Sequence, residues 1–158
     1  MTVLLWRLAA DTPTYEAHDL SGKGAEKTGG RWNRPGNPVL YCASTIALAA
    51  LETVVHLNTK TLPLNRFLVR IELPDDCWAA MKTHDAATLA VGWQAIPEGR
   101  VSLDIGDAWL ASRSSLLLRV PSVIVPEEAN VLLNPRHADV ARVRATKLRA
   151  WLYDGRLL

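Results

Sequence analysis

The apolar residues of this chain fall in short runs, and the windows of helical character between them are irregularly placed. Val3–Leu8 and Val39–Ala43 read as strands. Phe67–Leu73 alternates Phe, Val and Ile with Leu, Arg and Glu, the period-two pattern of a half-buried strand, and Pro74 stops it. Leu116–Val125 is a continuous apolar run broken by Arg119, Pro121 and Ser122, either one kinked strand or two. Val140–Tyr153 alternates in a way that favours a terminal strand. Ser44 and Thr45 can cap a helix that runs to about His56. A second helix is expected over Asp104–Ser114, with Ile105, Ala108, Trp109 and Leu110 as its apolar positions. Asp11–Thr28 is polar and contains glycine, so it is expected to be irregular; Cys77–Gly99 fits neither period. Without regular strand–helix–strand alternation a doubly wound parallel sheet is not indicated, and the expected class is α+β.

The 158 residues are the size of one domain, and neither a repeat nor a low-complexity linker divides them, so a single domain over residues 1–158 is expected. Hydrophobic residues make up 49% and charged residues 22%, ordinary values for a globular protein with a real core. The N-terminal Met-Thr-Val-Leu-Leu-Trp-Arg has no basic leader, and the Ala-rich stretch Thr45–Leu57 is interrupted by Glu52 and His56, so neither a signal peptide nor a membrane span is expected. Cys42 and Cys77 stand far apart with no CxxC and no zinc-ligand spacing, which fits a reducing, cytoplasmic setting and no metal site. The net charge of +2 is compatible with an anionic ligand without being diagnostic of one.

A few residues stand out as carriers of chemistry. Glu52 is the only acid in its helical window, and at helical spacing Thr45, Glu52, His56 and Thr59 share a stripe. A solvated helix face is the commoner outcome of such a pattern; a cleft-facing carboxylate is the alternative. Arg31 follows Gly29-Gly30, where the backbone permits close approach of a ligand, and a guanidinium binds phosphate or carboxylate through two parallel bonds. Arg7 is a second basic candidate; for both arginines a surface ion pair is the commoner outcome. Tyr41, at the end of a strand, can stack on a flat ligand or sit in the core. Ser122 lies inside an apolar run, so its hydroxyl needs a partner, but no G-x-S-x-G elbow surrounds it. Gly22-Lys23-Gly24 continues into neither a dinucleotide fingerprint nor a P-loop, and the four histidines lack H-E-x-x-H spacing.

In order and spacing, a set of short motifs resembles the RES domain: Trp6-Arg7, Gly30-Arg31-Trp32-Asn33, Pro38-Val39-Leu40-Tyr41, Leu51-Glu52, His56-Leu57, Leu68 to Pro74, Pro121-Ser122 with Pro126, and Asn134-Pro135 with His137. The resemblance covers nearly the whole chain and is weakest over Cys77–Arg113. It implies an ADP-ribosyltransferase-like fold with a mixed, split sheet and flanking helices. It also implies the toxin of a toxin–antitoxin pair, with an Xre-type DNA-binding antitoxin as partner and nucleic acid reached only through it. Family activity is cleavage of NAD⁺, by hydrolysis, by phosphorolysis or by transfer of ADP-ribose to a protein, so NAD⁺ is a substrate and no cofactor is implied. The arginine, glutamate and serine that name the family carry over to Arg31, Glu52 and Ser122, with Tyr41 as the fourth site position; Arg7, Trp32, Asn33 and His56 are expected to bind substrate.

A reading of another class rests on the C-terminal segment. From Arg136 to Leu158 there are six basic residues against two acids, interleaved with Trp151 and Tyr153. Such a tail can bind a nucleic acid strand, can blunt a sheet edge, or can dock the antitoxin.

Overall fold

The computed structural model describes residues 2–57 and 62–157. In chain order it forms β1 (Thr2–Ala10), α1 (Lys23–Thr28), β2 (Leu40–Ala43), α2 (Ile46–Val54), β3 (Arg66–Pro74), α3 (Asp75–Ala79), β4 (Lys82–Thr83), α4 (Arg100–Ser112), β5 (Leu117–Pro121), β6 (Ala129–Leu133) and β7 (Arg144–Ala150). Among the described residues, seven strands make one sheet in the order β4-β5-β6-β2-β1-β3-β7. Only β4 and β5 run parallel; every other neighbouring pair is antiparallel. The class is α+β, as expected.

The sheet is nearly two sheets. β1 pairs with β3 over nine positions, from Thr2 opposite Pro74 to Ala10 opposite Arg66. On its other edge β1 meets β2 at a single position, Trp6 opposite Ala43. Beyond that point the strands splay, so Arg7–Ala10 and Val39–Cys42 diverge and their facing edges line a cleft. The half containing β2, β5 and β6 is buried on both faces, which is why its strands read as continuous apolar runs. Leu117, Val131 and Leu133 pack with Leu5, Ile71 and Leu73 on one face. Leu118, Val120 and Leu132 pack with Trp32, Trp93 and Trp109 on the other. Removing one such fully buried leucine from water contributes about 1.5–3 kcal/mol.

Several expectations shift. α1 forms in a stretch expected to be irregular; it is six residues long, buries none of them, and lies between Gly22 at φ +71° and Gly29 at φ +72°, so it carries no apolar period to read. Leu116–Val125 holds one strand, which ends at Pro121; the chain turns and returns as β6, which was not expected. α4 starts at Arg100, not Asp104. α2 ends at Val54, so His56 lies in the turn beyond it and the expected stripe is cut short; Thr59 lies outside the described residues. The terminal strand is shorter than expected, because Ala138–Arg142 forms a 3₁₀ turn before β7.

Several basic residues of the tail find acidic partners within the molecule. Arg142 chelates Asp76 at 2.7 and 2.8 Å, Lys147 reaches Asp11 at 3.0 Å, Arg156 holds Asp154 at 2.7 Å, and Arg136 lies 3.7 Å from Glu26. The Arg149 guanidinium lies over the Trp151 ring. Tyr153 is buried beside α2, where its hydroxyl bonds Thr53 Oγ1 at 2.8 Å. Four of the six basic residues of the tail thus have acidic partners within the chain.

Candidate active site

A cavity of about 920 Å³ occupies the splay between β1 and β2. Its walls include Arg7–Ala10 of β1, Val39–Ala43, the Gly29–Trp32 loop, α1, and Glu52, Thr53 and His56 from and just after α2.

α2 brings in the carboxylate. Thr45 caps the helix, its Oγ1 accepting from the Leu48 amide at 3.1 Å. Leu48 and Ala49 bury against Ala43, which fixes the helix over the junction of β1 and β2. Glu52 Oε1 then accepts two bonds, from Ser122 Oγ at 2.6 Å and from Asn130 Nδ2 at 2.8 Å. The Ser122 hydroxyl is fully buried, and its oxygen accepts from the amides of Ile124 and Val125, both at 3.1 Å. With both lone pairs so engaged, its proton can only point at Glu52. Ser122 is therefore a positioning group for the carboxylate, and it does not line the cavity.

Tyr41 and Arg31 come from opposite sides of the Pro35–Pro38 turn. The Tyr41 hydroxyl donates to Asn33 Oδ1 at 2.6 Å and accepts from the Trp32 amide at 3.0 Å. Burial pushes the phenol well above its ordinary value near 10, so it is a neutral donor throughout the working range. Arg31 Nη1 donates to the carbonyls of Trp93 at 3.0 Å and Ala95 at 2.8 Å, which ties the loop of Ile96, Pro97 and Glu98 to the cavity rim. Arg7 lies in the cavity with a buried Nε that meets no partner among the described residues, and its Nη1 makes only a long 3.5 Å contact to the Tyr41 carbonyl there. A guanidinium so poorly satisfied is free to take an anion. Cys42 beside it is a buried thiol raised to about 11, burial outweighing the pull of Arg7; it is inert packing.

Of the eight residues expected at the site, six line one cavity: Arg7, Arg31, Trp32, Tyr41, Glu52 and His56. Asn33 is a correction. Its side chain is fully buried, donating to the carbonyls of Ala25 and Asn37 at 2.9 Å each and accepting from Tyr41, so it holds the tyrosine and leaves no group for a ligand. Trp32 is only 2% exposed and serves mostly as wall. Asn130 was missed, because β6 is too short and too apolar to flag a polar residue within it. Among the described residues no cluster of His, Cys, Asp or Glu could hold a metal ion, and no helix is long and apolar enough to cross a membrane.

Two substitutions test this geometry. Tyr41→Phe would leave the Trp32 amide and Asn33 Oδ1 without a partner, costing on the order of 1–3 kcal/mol in chemical denaturation; unchanged stability would show that the hydroxyl is dispensable. Because the folded phenol is raised, this contribution is present below the unfolded value near 10 and is lost as pH rises past it. Gly30→Ala would place a Cβ 2.8 Å from the Tyr41 hydroxyl and 3.0 Å from its ring. The ring is pinned at its hydroxyl and cannot retreat, so activity should fall by more than about tenfold with a smaller loss of stability.

The family model described as "RES domain" matches residues 4–154. A curated relative from Sphingobium sp. (strain YBL2), named "Prs ADP-ribosylating toxin", is 55% identical over 158 residues, covering 100% of this chain and 98% of that one. Proteins named "Toxin Res" are 43% identical in Yersinia enterocolitica, covering 78% of this chain and 79% of that one, and 34% identical in Photorhabdus laumondii, covering 99% and 97%. Among solved structures, the M. tuberculosis MbcT–MbcA toxin–antitoxin complex contains a chain of the same fold, with a TM-score of 0.63 at 16% identity over 94% of this chain and 85% of that one. The family-model match over residues 4–154 and the full-length relatives, together with the split sheet and the clamped Glu52, place the chain in the RES domain family.

Proposed function

We propose that this chain is the toxin of a toxin–antitoxin pair and that it cleaves the nicotinamide–ribose bond of NAD⁺. The observation that carries the reading is a carboxylate, Glu52, held on one oxygen by two neutral donors, in a nucleotide-sized cavity that also holds two arginines. The bond joins a cationic nicotinamide ring to ribose, so the ring departs neutral with the bonding pair and needs no general acid. Most glycosidases need a second carboxyl to protonate the leaving oxygen; here one suffices. Glu52 stabilises the positive charge that develops on the ribose, the kind of electrostatic term that usually dominates catalysis. Ser122 orients it. Arg7 and Arg31 hold the pyrophosphate, Tyr41 and Trp32 wall the nicotinamide, and His56 stands at the rim. An acceptor oxygen then bonds to the anomeric carbon and gives up its proton.

A second reading assigns the acceptor. The Sphingobium relative is named an ADP-ribosylating toxin, and its full-length match favours transfer of ADP-ribose to a protein over release into solution. The occurrence of this fold in a toxin–antitoxin complex supports an antitoxin partner, for which the Xre type is the expectation. Purified protein mixed with NAD⁺ labelled in the adenylate half tests both. Release of nicotinamide is expected; its absence, with and without a cell extract as acceptor source, overturns the proposal. Label on a protein band supports transfer, and free ADP-ribose or its phosphate supports degradation.

A further inference from the structure

Asn130 occupies a place that no motif in the chain announced. It lies in β6, opposite Ala43 of β2, so the two side chains share a face of the sheet. Ala43 is the seat of α2, packed against its Leu48 and Ala49. Asn130 lines the cavity, unlike Ser122, and its Nδ2 donates to the oxygen of Glu52 that Ser122 also holds.

We infer that Asn130 is a positioning residue for the reaction, which aims the second oxygen of Glu52 at the substrate. The inference rests on the proposed cleavage of NAD⁺. One donor on Oε1 would leave the carboxylate free to swing about that bond. Two donors, one from the turn after β5 and one from β6, fix its plane. Oε2 takes no bond from another side chain or amide among the described residues, so its lone pairs remain for the ribose. The type of donor also matters. A lysine or arginine at this position would orient Glu52 but cancel the charge that the transition state needs; an amide orients it and leaves the charge intact.

The test uses the whole chain, with nicotinamide release followed from about pH 5 to 9 and thermal unfolding alongside. For Asn130→Ala, kcat is expected to fall by about 10- to 100-fold with KM within about threefold, because a charge-assisted bond to the reacting carboxylate is lost while substrate contacts stay. Asn130→Asp is nearly isosteric and keeps the fold, but it sets a second carboxyl against Glu52. The pair then shares a proton, and the acid limb of the pH–rate profile should move upward. That shift reads the contact between this position and Glu52, while a kcat loss in Asn130→Ala without a KM change reads the positioning. An active wild type with Asn130→Ala within about twofold of it in kcat, or with Asn130→Asp showing the wild-type pH profile, overturns the inference. A wild type that releases no nicotinamide overturns the cleavage reading itself, and this inference with it; binding of a non-cleavable carbocyclic NAD⁺ isostere then shows whether the cavity takes the nucleotide at all.

Discussion

The Glu52→Gln protein is expected to release nicotinamide at least about 100-fold more slowly than wild type while unfolding at nearly the same temperature. The two expectations come from the same contacts. A glutamine oxygen can accept from Ser122 Oγ and Asn130 Nδ2 as Oε1 does now, so neither donor is orphaned and the packing of α2 on Ala43 is untouched. What disappears is the negative charge facing the ribose. If charge stabilisation is the function of this side chain, kcat takes nearly the whole loss and KM changes little. Activity within about twofold of wild type would remove Glu52 from the chemistry, and a large drop in unfolding temperature would make it a structural residue.

Gly106→Ala is expected to be the most damaging change outside the cavity. A Cβ built at this position in α4 would lie 1.7 Å from the Trp32 carbonyl oxygen and 2.6 Å from its carbon. Both are backbone atoms, so no rotamer change relieves the clash, and α4 must lift from the loop that carries Arg31, Trp32 and Asn33. That movement strips the bonds by which Asp107 holds the loop, to the Arg34 guanidinium at 2.8 Å, to the Arg34 amide at 3.1 Å and to Asn37 Nδ2 at 2.8 Å. The cost is on the order of 3 kcal/mol or more, or roughly 6–12 °C in unfolding temperature for a domain of this size. Nicotinamide release should fall with it. Gly99→Ala is the control, since nothing lies within 4 Å of a Cβ there. Equal stability of the two variants would refute the close approach of α4 to the loop.

The chain announces its elements best where a local rule governs them. The period-two run ending at Pro74 became β3, and Thr45 caps the helix that carries Glu52. It is silent where tertiary contact replaces local pattern. α1 buries nothing and stands on two glycines of positive φ, and β6 is five residues that pair on both edges. Asn33 was expected to bind substrate as part of the Gly30-Arg31-Trp32-Asn33 motif, yet its side chain turns inward to Tyr41. The basic tail reads as a binding strip because charge is visible in sequence and its partners, such as Asp11 for Lys147, are 136 positions away.

By itself the sequence determined the α+β class, the helix bearing Glu52, the strand ending near Tyr41 and the ordered motif set that names the family, because periodicity, capping and turn chemistry act over a few residues. Only the tertiary structure decided that β1 and β2 part after one paired position to open the cavity. It also decided that Glu52 is clamped by groups 70 and 78 positions distant. The physical reason is that a carboxylate's direction is set by the donors that meet it, and those donors come from strands that only the folded sheet brings beside α2.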